Sequence, residues 1–177
     1  MPETDRRVRF ERLAVPLLDD AMKLAVWLAG SRTDGEDIVQ EAMLRAYKYL
    51  DRFSGAAFRP WLLAIVRNTA MTWLSRNRSA NVVYVPDFQE TEPDMDMTGA
   101  EQESPESALL HRDRAEQVNR AVAALPCEFR EVVVLRELHD LSYKEIAAVI
   151  NVPIGTVMSR LSRARRLLME ALPEQQP

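Results

Sequence analysis

Four arginines, Arg160, Arg163, Arg165 and Arg166, crowd into the segment LSYKEIAAVINVPIGTVMSRLSRARRLL, residues 141–168. Guanidinium groups at such spacing bind phosphate, and in bidentate fashion they bind guanine. A bare run of this kind serves equally well as the solvated face of a helix, so the residues around it decide. Ser142 and Glu145 have the spacing of a capping box, in which each side chain satisfies the other's backbone amide. Ile146, Ala147 and Ile150 follow as an apolar stripe, and Asn151 suits the left-handed residue that closes a helix. Pro153 prevents continuation and fits the first turn of a second helix. In that helix Val157, Leu161, Ala164 and Leu168 recur as a buried seam, which turns Thr156, Ser159, Arg160, Arg163 and Arg166 outward. The segment is therefore expected to be a helix-turn-helix whose basic second helix fits a major groove.

The elements that position this unit are helical throughout. Near the amino terminus, Phe10, Leu13, Leu17 and Leu18 begin an amphipathic stretch, and Met22, Ala25, Val26, Leu28 and Ala29 continue it to Gly30. The pattern predicts two helices, or one kinked at Pro16. After Thr33, Asp34 and Gly35 a third helix places Ile38, Val39, Ala42, Met43, Ala46, Tyr47 and Leu50 on one side. Asp37, Gln40, Glu41, Arg45 and Lys48 take the other, a stripe that by itself is an ordinary solvated face. A fourth helix comes after the loop 51–58, with Trp61, Leu62, Ile65, Val66 and Trp73 as apolar matter. Asn68, Thr72, Ser75, Arg76 and Arg78 form its polar edge. Amides, aromatics and arginines beside a loop can serve single-stranded DNA, although each of Trp27, Trp61 and Trp73 reads first as core.

Residues 79–108 hold eight carboxylates (Asp87, Glu90, Glu92, Asp94, Asp96, Glu101, Glu103 and Glu106), three prolines and no Lys or Arg. Little there offsets the entropy of ordering beyond the run Val82 to Val85 and Phe88. The segment reads as an acidic flexible linker. Removing its charge of −8 from the formal −4 of the 177-residue chain leaves +4 for the remainder, so the acidic whole conceals two mildly basic modules. The expected fold is all-α: two small helical domains, 1–78 and 109–177, joined by that linker.

Catalytic and metal chemistry find no foothold in this pattern. Cys127 is the single cysteine, which rules out an intrachain disulfide and reads as a small, partly buried hydrophobe near a helix start. His111 and His139 lack ligand spacing around them and read as surface or boundary residues. Neither a metal nor a cofactor is expected, and no nucleophile, base and orienter set supports an enzyme. No apolar run approaches the roughly 20 residues that cross a bilayer, and the amino terminus lacks a signal-peptide core. A cytoplasmic protein is expected.

Taken together, EDIVQEAMLRAYKYLDRF followed by FRPWLLAIVRNTAMTWLSRNR resembles region 2 of the extracytoplasmic-function, or group 4, bacterial sigma factors. LPCEFREVVVLRELHDLSYKEIAAVINVPIGTVMSRLSRARRLL resembles their region 4. The resemblance covers most of the chain outside the linker, in the family's order. It implies a transcription initiation factor that binds core RNA polymerase, through the beta-prime clamp and the beta flap, and directs it to promoter DNA. An anti-sigma factor is the implied regulatory partner. By the same similarity Asp37, Gln40 and Glu41 dock on the clamp. Phe53, Ile65 and Asn68 line a pocket for a base flipped from the minus-ten element, with Thr72 on the same polar edge and Arg76 and Arg78 steadying the adjacent backbone. Arg136, Ser159, Arg160 and Arg163 meet the minus-thirty-five element, alongside Thr156 and Arg166 of the same outward face. Met158 departs from the Lys or Arg common at its position, and a thioether cannot make the bidentate contact to guanine. The linker, replacing the larger family members' region 3, would thread toward the RNA exit path with its carboxylates mimicking nucleic-acid charge. Two other readings stay open: a plain helix-turn-helix regulator, and a sigma-like decoy that sequesters an anti-sigma factor.

Overall fold

The structure, a computed structural model, describes residues 3–55, 57–77 and 105–172. Arg78, the Val82 to Val85 run and most of the segment read as a linker lie outside them. Among the described residues the secondary structure is entirely helical. Helix α1 (Glu3–Ala14) passes through a 3₁₀ turn, Val15–Leu17, into α2 (Leu18–Ala29), so Pro16 separates two helices where its missing N–H does least harm. Gly30 closes α2 at φ 79°, and its N–H donates to the Val26 carbonyl.

Helix α3 (Arg32–Tyr49) begins earlier than the sequence suggested. Ser31 is the N-cap, its hydroxyl accepting from the Asp34 amide at 3.4 Å, and Asp34 lies in the first turn near the positive helix end. Gly35, expected just before the helix, is buried inside it. A Cβ there would stand 2.6 Å from Val26 Cγ2, so the missing side chain sets how closely α2 and α3 approach. Helix α4 (Phe58–Asn77) comes after a short connection, with Pro60 in its first turn.

The carboxy-terminal part comprises α5 (Pro105–Ala124), α6 (Cys127–Val133) with a π-helical extension Val134–Leu138, α7 (Tyr143–Ile150) and α8 (Ile154–Ala171). Helix α5 starts four residues inside the stretch assigned to the linker. Pro105 fits that start because its fixed φ suits a first helical turn. Beyond this, α5 is exposed for most of its length and buries only Val122 and Ala123.

The two halves share one interior. Buried residues of α2, α3 and α4, among them Leu24, Leu28, Ile38, Leu63 and Val66, form a continuous apolar cluster with Val132, Leu135, Ile146, Ile150, Val157 and Leu161. Helix α4 packs on α7, and α2 packs on α6. A smaller cluster beneath α1 gathers Ala14, Ala46, Leu50, Phe58 and Leu62, with Phe53 and Trp61 against it. Trp27 is buried in the main cluster and Trp73 packs against it, so all three tryptophans serve packing.

Candidate nucleic-acid and polymerase interface

The helix-turn-helix forms as its residues dictate. The Ser142 amide donates to Glu145 Oε2 at 2.8 Å while the Glu145 amide donates to Ser142 Oγ at 3.2 Å. Those bonds hold the Glu145 carboxyl below the usual carboxylate range. Asn151 takes the left-handed conformation at φ 55° and closes α7. Pro153 is the N-cap of α8, one position earlier than the first turn expected for it. Val157, Leu161 and Ala164 are buried on the inner face of α8, and Leu168 is only half-buried.

The outer face is less uniform than spacing implied. Met158, Ser159, Arg163 and Arg166 are exposed, and Thr156 is half-buried with its carbonyl accepting from Ser159 Oγ at 3.0 Å. Arg160, expected on the free cationic edge, turns inward instead. Its Nη1 donates to Glu131 Oε1 at 3.2 Å and its side chain is 22% exposed. The i, i+3 geometry allows either direction, and the buried carboxylate decides it. Arg136, on the π turn, donates from Nη1 to the Leu141 carbonyl at 2.8 Å and lies 5.3 Å from the Tyr143 ring centroid. The wide turn thereby fixes that guanidinium against the start of α7.

In the amino-terminal half, Asp37, Gln40 and Glu41 are exposed along one face of α3, with Glu41 accepting from Arg45 Nε at 2.8 Å. Phe53 lies 5.3 Å, centroid to centroid, from both Phe58 and Trp61. Ile65, half-buried, packs against the same cluster. Asn68 lies one turn further along α4 and is exposed; Thr72, which donates to the Asn68 carbonyl at 3.0 Å, and then exposed Arg76 continue the stripe. An aromatic floor and an amide with the same helical face beyond it can receive and grip an unstacked base.

Three features escaped the sequence. Glu131 is 1% exposed and accepts from Arg67 Nε at 2.8 Å and Arg67 Nη2 at 3.1 Å as well as from Arg160. Its place at the head of an apolar run, Val132 to Leu135, is the signal that pointed inward. Arg130 reaches across from α6 to donate to the Trp27 carbonyl at 3.2 Å, and burial lowers its pKa. His139, expected at the surface or a boundary, is 1% exposed because the π turn swings it between the halves. Burial pushes its pKa down to about 4; Asp20, with an oxygen 3.6 Å from Nδ1, opposes that, while Arg59 and Lys23 reinforce it. Burial works against the Asp20 charge too, but Arg59 Nε at 2.6 Å outweighs it and keeps that carboxyl below its ordinary value. Among the described residues no cluster of His, Cys, Asp and Glu could hold a metal ion, and no helix is long and apolar enough to cross a membrane.

Residues 13–80 match the family model for sigma-70 region 2, and residues 115–168 match the model for sigma-70 region 4. The chain is 41% identical over 142 residues to the ECF RNA polymerase sigma-E factor of Escherichia coli, covering 76% of this chain and 72% of that one. It is 34% identical over 175 residues to the RNA polymerase sigma-H factor of Pseudomonas aeruginosa, covering 95% and 88%. Among solved structures it is similar to the sigma factor RpoE of Bartonella quintana in complex with the anti-sigma factor NepR, with 26% identity, a TM-score of 0.69 and coverage of 95% and 99%. It is also similar to CnrH in complex with the cytosolic domain of CnrY, with 25% identity, a TM-score of 0.63 and coverage of 93% and 87%. The chain belongs to the sigma-70 family of RNA polymerase sigma factors, in its extracytoplasmic-function group.

Proposed function

We propose that the protein is an alternative sigma factor: it binds core RNA polymerase, brings it to a defined set of promoters and assists strand opening. The observation that carries this reading is the presence of both family regions in one chain. Exposed Asp37, Gln40 and Glu41 on α3 supply an acidic face for the beta-prime clamp. Phe53, Ile65 and Asn68 receive a flipped minus-ten base, with Thr72 on the same polar edge, while Arg76 and Arg78 steady the adjacent backbone. Extruding that base costs a few kcal/mol of unstacking, so a preformed pocket converts melting into selection. Arg136, Thr156, Met158, Ser159, Arg160, Arg163 and Arg166 meet the minus-thirty-five duplex, the arginines chiefly at phosphates and the first-turn residues at base edges. The beta flap is the counterpart for region 4. Chemistry belongs to the polymerase, and this chain is no enzyme. It works in the cytoplasm, where polymerase and promoter are.

An anti-sigma factor is the expected regulator, since the similar solved structures are complexes of sigma factors with such proteins. A decoy that only sequesters an anti-sigma factor draws support from Met158, 53% exposed on the reading helix in place of a cation. Run-off transcription with purified core polymerase and a genomic fragment library separates the two. The sigma reading expects transcripts with discrete starts that require this chain; none above core polymerase alone would overturn it and leave the decoy.

A further inference from the structure

We propose that Arg6 of α1 is a positioning residue for base recognition: it braces the end of α3 and the turn after it, and through them sets the Phe53 ring in the pocket for the flipped minus-ten base. This deepens the sigma-factor reading and rests on it. Arg6 and Phe10 precede residues 13–80, the stretch that matches sigma-70 region 2, so that match assigns them no part.

The need for a brace arises from how α3 ends. Helix α2 closes on left-handed Gly30 and α7 on left-handed Asn151, conformations in which the turning chain caps its own carbonyls. Leu50 after α3 is right-handed, at φ −53°, and the chain runs on into a 3₁₀ turn, Leu50–Arg52, that delivers Phe53. Carbonyls of the last helical turn are left to be met from outside. Arg6, 41 positions back from Tyr47, meets two of them: its Nη2 donates to the Tyr47 carbonyl at 2.7 Å and to the Lys48 carbonyl at 3.0 Å, which sets positive charge at the negative helix end. Its Nε, buried and without a hydrogen bond among the described residues, lies 3.6 Å from Asp51 Oδ2 in the turn itself. That carboxylate is largely exposed, so the ion pair is worth little and the carbonyl bonds carry the brace. The Arg6 guanidinium carbon lies 4.8 Å from the Tyr47 ring centroid, and Phe10, one turn along α1, meets the same ring edge to face at 5.3 Å.

A 3₁₀ turn has poor hydrogen-bond geometry and holds its shape weakly by itself. The Phe53 amide donates to the Leu50 carbonyl at 3.0 Å, and the Phe53 ring packs on Phe58 and Trp61. A shift at Leu50 therefore moves that ring across its floor. Recognition groups must be held within about 0.5 Å of their working geometry, and the brace acts at the root of the one that is most loosely tethered. An arginine that merely stabilised α3 would change the melting temperature without changing which base is accepted.

The test uses holoenzyme on a promoter recovered by run-off transcription, with each base in turn at the flipped position, read as heparin-resistant open complex. Arg6→Ala should lower the preference for the favoured base about tenfold and add nothing to the loss caused by Phe53→Ala, because it acts through that ring. Closed-complex affinity should stay the same. Arg7→Ala removes an equal charge from the same helix, out of an exposed pair with Glu11, and should leave the preference intact. Arg6→Lys keeps the charge and loses the fork; it should lose part of the preference, which decides the matter if Arg6→Ala loses its circular dichroism signal. Unaltered preference in the Arg6 variants beside an impaired Phe53→Ala would overturn the brace alone, as would losses that add in the double variant. Unaltered preference in Phe53→Ala would remove the pocket together with the brace.

Discussion

Lowering the pH should destabilise this protein well above the carboxylate range, and His139 should be the cause. Its imidazole is buried between the halves, and among the described residues neither ring nitrogen has a hydrogen-bond partner. Burial pushes the pKa from the ordinary 6.5 to about 4. The unfolded chain therefore takes up a proton first as pH falls, and stability is lost from about pH 6.5 downward until the folded form also protonates near 4. Over that whole interval, at 1.36 kcal/mol per pH unit, the loss is about 3 kcal/mol, and between pH 7 and pH 5 it is about 2 kcal/mol. Asp20 and Glu145 act in the same direction but lower, because their depressed carboxyl pKa values give stability that is lost only as pH falls through the carboxylate range. Working above pH 5 separates His139 from them. Urea unfolding monitored by circular dichroism, on wild type and on His139→Leu, supplies the comparison, since leucine keeps roughly the volume and cannot titrate. The variant should show a slope against pH flatter by about 2 kcal/mol over this interval. Equal slopes in the two proteins would refute the reasoning.

Gly35→Ala should lower stability by about 1–3 kcal/mol in thermal denaturation, because its Cβ would press on Val26 Cγ2 at 2.6 Å. Reversing charge at Asp37 and Glu41 together should weaken pull-down of core polymerase while circular dichroism stays unchanged, both side chains being exposed; undiminished pull-down would remove the clamp assignment. Asn68→Ala should permit a closed promoter complex yet reduce melting, read as lost permanganate reactivity of unpaired thymines. Arg163→Ala should weaken holoenzyme binding across promoter variants and reduce the salt slope by about one, whereas Met158→Arg should gain about 1–3 kcal/mol only where a guanine comes within reach. A uniform gain for Met158→Arg would place that side chain over the backbone instead.

Local grammar was legible in the sequence. The Ser142 and Glu145 box, the left-handed Asn151 and the break at Pro153 depend on neighbours within a few positions, and all three appear in the structure as hydrogen bonds or dihedrals. The stripe Asp37, Gln40 and Glu41 is exposed for the same reason: one helical period governs it. Features set by partners far along the chain stayed concealed. Arg67 and Glu131 are 64 positions apart, so no periodicity could pair them, and Arg160 turns inward only because that carboxylate is there. His139 carries no ligand spacing, and its burial comes from the π turn, whose wider winding rotates the residues that come after it. Gly35 looked like a helix boundary because glycine commonly marks one, yet here close approach to Val26 is the reason for it.

Cold should loosen the joined modules and warmth should tighten them. Parting α4 from α7 and α2 from α6 would wet apolar side chains that now share one cluster, and newly hydrated apolar surface raises heat capacity. Hydrophobic cohesion across the join weakens on cooling, while the penalty for keeping Glu131, Arg67 and Arg160 away from water shrinks as temperature rises. Both trends run the same way over the range in which the helices stay folded. The cohesion of the α4–α7 and α2–α6 join is thus a function of temperature, with no ligand required.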